Sequence, residues 1–217
     1  MRKSMYSLML MDSVVKKIDE LAQEKNTNRS NLINQILAEY VSLVTPEKQI
    51  SEIFSYLDQL FCSKVFSTVQ EQCETMMSVK TSLDYKYRPT VKYSIELIKN
   101  PKDKFGYLKV IFRTQSKELL DNLQCFFNNF AKLESAYLKS RYNMDIEYSL
   151  SGGKFIRSMS MPYGFVVTYD ELAKGISNYV AMLDELIKNY LSQKFTSFSQ
   201  IEKRYLQYIN SSSTVII

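Results

Sequence analysis

The first 45 residues hold one strand-like stretch and two short helical ones, a combination that cannot close a core within a single chain. In residues 5–11, Tyr6, Leu8 and Leu10 alternate with Met5, Ser7 and Met9, so an extended backbone presents the two sets on opposite sides. Asp12 or Ser13 can cap a helix whose Val15, Ile18, Leu21 and Ala22 recur at helical spacing, and Asn26 suits the left-handed turn that ends it. Asn28 supplies the N-cap of a second helix, with Leu32, Ile33, Ile36, Leu37 and Tyr40 on one side; the stripe extends toward Val44, and Pro46 limits it. A lone strand has no partner for its backbone groups, and its apolar side needs a cover. The physical solution is a second copy. Two strands paired antiparallel about a two-fold axis bring Tyr6, Leu8, Leu10, Leu32 and Ile36 of both chains into one core. Each such side chain contributes about 1.5–3 kcal/mol when fully buried.

The alternating strand running into Asp12-Ser13, the Leu21-Ala22 pair, and Asn28-Arg29-Ser30 ahead of Leu32-Ile33 resemble the CopG/Arc/MetJ ribbon-helix-helix DNA-binding proteins. The resemblance spans residues 1–45, and residues 50–217 carry none. It implies a dimeric β-ribbon plus two helices, double-stranded DNA as partner, and a ribbon lying in the major groove. Met5, Ser7 and Met9 then face base edges, although none offers the forked contact that the family's arginine, lysine or asparagine makes there. Phosphates fall to Asn28, Arg29 and Ser30 at the start of the second helix, and to Arg2 and Lys3 ahead of the ribbon. The function implied is that of a homodimeric transcriptional regulator, a repressor. The same fold serves plasmid partition and relaxosome accessory proteins. In a third reading the ribbon only dimerises, and the chain is a non-enzymatic assembly protein.

Residues 46–78 read as a helical connector, with Ile50, Ile53, Phe54, Leu57 and Leu60 on one face and a second helical run over 66–77. Residues 79–217 read as an α+β module for oligomerisation, partner binding or ligand binding. Strands are expected over 79–87, 90–98 and 107–114, with Arg88-Pro89 and Asn100-Pro101-Lys102-Asp103 as breaks, giving an antiparallel meander. A long helix follows over 117–139, then strands over 145–150 and 154–161 joined at Ser151-Gly152-Gly153, and helices over 169–191 and 199–208. The fold class expected is α+β, with helices on one face of an antiparallel sheet.

Charge singles out a second surface. Residues 80–117 carry ten basic side chains against three acidic ones, whereas residues 1–49 are nearly balanced. Alternation along the expected strands puts Lys80, Lys86, Arg88, Lys92, Lys109 and Arg113 on one face and the aromatics, Tyr85 and Tyr87 among them, on the other. Such a face can meet phosphates flanking a DNA site, or serve only as a solvated sheet surface.

Chemistry is constrained from the other side. The chain has no histidine, so it lacks the commonest metal ligand and the best acid–base catalyst at neutral pH. Cys62, Cys73 and Cys125 match no metal-binding spacing and read as free, buried thiols of a reducing compartment. No phosphate-loop, dinucleotide or nucleophile-elbow motif is present; Gly152-Gly153-Lys154 is turn chemistry. The expectation is therefore a protein without catalytic residues, metal or cofactor. With no apolar run of membrane-spanning length and no signal-peptide-like start, a cytoplasmic location is expected.

Overall fold

The computed structural model describes residues 5–62, 66–162, 164, 166–211 and 215–217, and divides into two compact units, Met1–Gln49 and Ile50–Ile217. In the first unit, α1 (Asp12–Glu24) and α2 (Arg29–Tyr40) are joined by a turn in which Asn26 is left-handed, as the sequence predicts. The expected side-chain cap of α1 is not made: Met11 occupies that position and supplies only its backbone.

Residues 5–11 carry no strand in the single chain, where the expected ribbon has no second strand to pair with. A solitary segment has nothing to exchange backbone hydrogen bonds with, and Tyr6, Leu8 and Leu10 stand 84, 62 and 42% exposed. The residues assigned to a shared core thus divide. Leu32 is buried, as are Ala22 and Ala38, whereas Ile36 joins Tyr6, Leu8 and Leu10 in solvent. Nor does α2 reach Pro46. It stops at Tyr40, Ser42 turns left-handed, and Pro46 opens α3 (Pro46–Cys62), where its missing N–H costs nothing. Thr45 Oγ1 accepts the Lys48 N–H at 3.2 Å across that first turn.

The second unit is a mixed helix and sheet fold. The run expected to be helical over 66–77 instead holds β1 (Ser67–Val69), a turn, and the start of β2 (Met76–Ser82). Phe66 accounts for the change, since its ring packs edge-on against Phe61 of α3 at 5.3 Å and against Tyr93 at 6.0 Å, tying the chain to the sheet. There follow β3 (Thr90–Leu97), β4 (Gly106–Arg113), α4 (Lys117–Tyr142), β5 (Tyr148–Ser151), β6 (Lys154–Met159), α5 (Tyr169–Leu191) and α6 (Phe198–Ile209). All five pairings are antiparallel, in the order β1-β2-β3-β4-β6-β5. The predicted meander, long helix, closing helices and hairpin are all present. Gly152 and Gly153 adopt φ of 56° and 73° at the hairpin tip, a region that glycine enters without strain.

Register explains how the sheet builds its core. Val79, Val91, Tyr93, Ile95, Leu108, Val110, Phe112 and Phe155 occupy the alternate positions that face the helices, and all are buried. Aromatic contacts join the layers: Phe127 of α4 stacks on Phe155 of β6 at 4.2 Å. Ile216 and Ile217 are buried beside α5, where Gly175 leaves room; a Cβ there would stand 2.9 Å from the Val215 carbonyl oxygen. The cysteines depart from expectation. Cys62, Cys73 and Cys125 are free but exposed, because they fall at a helix end, in a turn and on the outer side of α4.

Candidate nucleic-acid interface

Asn28 does at the start of α2 what its residue type suggests. Its backbone is extended and its Oδ1 accepts the Asn31 N–H at 2.9 Å, leaving the first-turn N–H groups of Arg29 and Ser30 outside the helical ladder. Both side chains are exposed.

Arg29 is not a free cation. Its Nε and Nη2 donate to the two carboxylate oxygens of Asp19 in α1, at 2.7 and 2.5 Å, forming a forked pair at the surface. The bond to Arg29 lowers the Asp19 pKa and raises that of Arg29, so both remain charged at neutral pH. A guanidinium has five N–H donors, and this fork uses two. Met5, Ser7 and Met9 are exposed along residues 5–11, and Arg2 and Lys3 lie outside the described residues.

The basic face on the second unit is real in part. Lys80, Lys92, Lys109 and Arg113 share the side of the sheet opposite the helices, as the pairings Lys80↔Lys92, Ser94↔Lys109 and Thr90↔Arg113 require. Two of the four are engaged: Lys92 meets Glu71 at 2.6 Å, and Lys109 pairs with Glu96 directly alongside. Lys86 and Arg88 are not on a strand at all. β2 ends at Ser82, and both belong to the β2–β3 connection, where Tyr87 and Arg88 take positive φ. That geometry also removes Tyr87 from the aromatic face and leaves it fully exposed, while Tyr85 packs on the core.

The strongest polar cluster was not anticipated from sequence. Glu134 of α4 is fully buried and accepts from Arg157 Nε of β6 at 2.9 Å, Tyr148 of β5 at 2.8 Å, Tyr179 of α5 at 3.1 Å and Tyr205 of α6 at 3.3 Å. Arg157 also donates to the Ile217 carbonyl, and its guanidinium lies 4.4 Å from the Tyr179 ring centre. Burial works to lower the Arg157 pKa, but Glu134, Tyr179 and Tyr148 outweigh it and leave it raised. A signal was available: Phe130, Glu134 and Leu138 recur every fourth residue on the buried stripe, and Arg157 shares the inward-facing, every-second-residue positions of Phe155 and Met159. A second buried group joins Tyr93, Asp184, Lys188 and Thr81, with Asp184 accepting at 3.0 and 2.7 Å and Lys188 donating to Thr81 at 2.9 Å. The Glu134–Arg157 pair is closed within the core, whereas Lys188 leaves the second group partly open to solvent.

Among the described residues, no group of three or more cysteine or acidic side chains is placed to hold a metal, and no helix is long and apolar enough to cross a membrane. No family model, no curated protein and no solved structure matches the chain.

Proposed function

We propose that the chain is a homodimeric ribbon-helix-helix DNA-binding protein acting as a transcriptional regulator. The observation that carries the reading is the uncovered apolar row of Tyr6, Leu8 and Leu10, with Ile36 of α2 exposed in the same small unit. A monomer gains nothing by keeping these in water. A second copy offers both missing partners at once, a strand for the ladder and a cover for the row. The free N–H groups at the start of α2, with Arg29 beside them, then take a phosphate on each half of the dimer. Ser7 supplies a hydrogen-bonding group toward the bases, and Met5 and Met9 supply apolar contact to thymine methyls.

The assembly-protein reading draws on a specific feature, since the Met5, Ser7 and Met9 row lacks any side chain able to make a forked base contact. One experiment separates the two. Sedimentation of the full chain is compared with that of Leu8→Glu, and both are titrated with labelled duplex DNA. The DNA-binding reading expects the native chain to dimerise and bind, and the variant to lose both while its circular dichroism stays that of a folded protein. A native dimer that ignores DNA at low salt supports the assembly reading, and a native monomer sinks both.

A further inference from the structure

A cleft of about 690 Å³ lies between the β2–β3 connection and the joint from β4 into α4, within the size range of small-molecule sites. Tyr85 and Tyr87 line one side, Arg113 and Ser116 the other, and Lys86 stands with them. The geometry points to a nucleotide site: a planar ring held against tyrosine and a phosphate group held by Lys86 and Arg113.

Three observations converge. First, these cations are unspent. Lys92, Lys104, Lys109, Lys188 and Arg204 each meet a carboxylate, whereas among the described residues neither Lys86 nor Arg113 has an ion-pair partner. Two like charges facing one concavity raise its affinity for an anion. Phosphate suits the set better than carboxylate, since it has more oxygens to share between a guanidinium fork and an ammonium.

Second, a tyrosine ring at the cleft is left uncovered by the fold. Tyr87 is fully exposed and held at φ 63°, followed by Arg88 at 42°, in a region that non-glycine residues seldom enter. Tyr85 is anchored on the core, so one wall is fixed. A purine or pyrimidine stacking there finds a face that packing leaves unused.

Third, the backbone that frames the cleft is preformed. Arg88 N–H donates to Tyr85 and Leu83 N–H to Pro89, both at 2.9 Å, and Ser116 N–H donates to Thr114 Oγ1 at 3.1 Å. The two loop backbones are thereby closed by their own hydrogen bonds, so the ordering cost of binding falls on the exposed side chains of Lys86, Tyr87 and Arg113 and not on the loops. Glu118 is the single acid in the lining, so the cationic balance holds.

The cleft lies wholly in the second unit, apart from the first-unit residues assigned to DNA. Calorimetric titration of the full chain with ATP, adenosine and inorganic triphosphate tests it. ATP is expected to bind saturably, with adenosine and triphosphate each about ten-fold weaker or worse, because each supplies half of the contacts. Arg113→Ala combined with Lys86→Ala should weaken ATP by about ten-fold or more, and Tyr87→Ala by several-fold. Lys102→Ala, on a different turn, should leave binding unchanged, and thermal unfolding of each variant establishes that it is folded. Absence of saturation at millimolar ATP overturns the proposal, as does ATP binding that survives the double substitution. So does capture of an oligothymidylate through Arg113 with no affinity for ATP, which moves the surface to single-stranded nucleic acid.

Discussion

Replacing Arg29 by alanine tests the proposed phosphate grip through the salt dependence of DNA binding rather than through affinity alone. Each phosphate neutralised by a cation releases condensed counterions, and the logarithm of affinity falls with the logarithm of salt by about 0.9 per contact. A dimer carries two copies of Arg29, so Arg29→Ala should flatten the slope by about 1.8. Over a four-fold rise in salt, the native protein should therefore lose on the order of ten-fold more affinity than the variant. The fork to Asp19 fixes the direction of a companion substitution. Asp19→Asn removes a carboxylate that holds Arg29 and repels phosphate, so it should tighten binding and leave the slope at least as steep. Fluorescence anisotropy with a labelled mixed-sequence duplex at several salt concentrations reads both. An Arg29→Ala slope equal to the native one refutes the placement of Arg29 on phosphate, whatever happens to the affinity.

Glu134→Gln leaves Arg157 buried opposite a neutral amide and should destabilise the second unit by about 3–5 kcal/mol in urea unfolding; a loss under 1 kcal/mol would show that the pair matters little. Burial raises the Asp184 pKa above 3.8, against the opposing pull of Lys188 and Tyr93. The stability it contributes is fully present below 3.8 and lost as pH rises through the raised folded value. The stability difference between native and Asp184→Asn should accordingly be largest in acid and decline to a plateau with rising pH; a difference that grows with pH contradicts this sign. Gly106→Ala places a Cβ 2.3 Å from the Glu96 carbonyl oxygen, and the forced shift of β3 against β4 should cost about 1–3 kcal/mol by thermal unfolding.

The larger fold was legible wherever one residue's chemistry decides the local backbone. Asn26, Asn28, Gly152 and Gly153 announce turns, caps and a hairpin, and period-two alternation places three strands of the meander and their inward faces. The failures share a cause in long-range contact. The apolar spacing of residues 66–77 satisfies a helix locally, and only the rings of Phe61 and Tyr93, distant in sequence, draw Phe66 to the sheet. Alternation continued past Ser82 would carry Lys86 and Arg88 onto a strand, yet the chain leaves the sheet there and returns at Thr90. Glu134 and Arg157 look like solvent residues by type, and their pairing across 23 positions is visible only once α4 lies over β6.

On the proposed reading, the division of labour within the grip limits how a dimer can choose its site. Phosphate contacts from Arg29 and the α2 terminus are the same on every duplex, so they add affinity without discrimination. The base-facing row adds one hydroxyl and two thioethers per chain, short of the forked pairs worth about 1–3 kcal/mol each. A regulator must still outcompete the large excess of non-specific sites in a genome. Two routes remain physically open: reading groove width and deformability, or placing several dimers on adjacent half-sites so that modest preferences multiply. The second requires contacts between dimers, for which the exposed Val41, Leu43 and Val44 beyond α2 offer an apolar surface. Their replacement by polar residues should therefore lower cooperativity along tandem sites before it lowers the affinity of a single dimer.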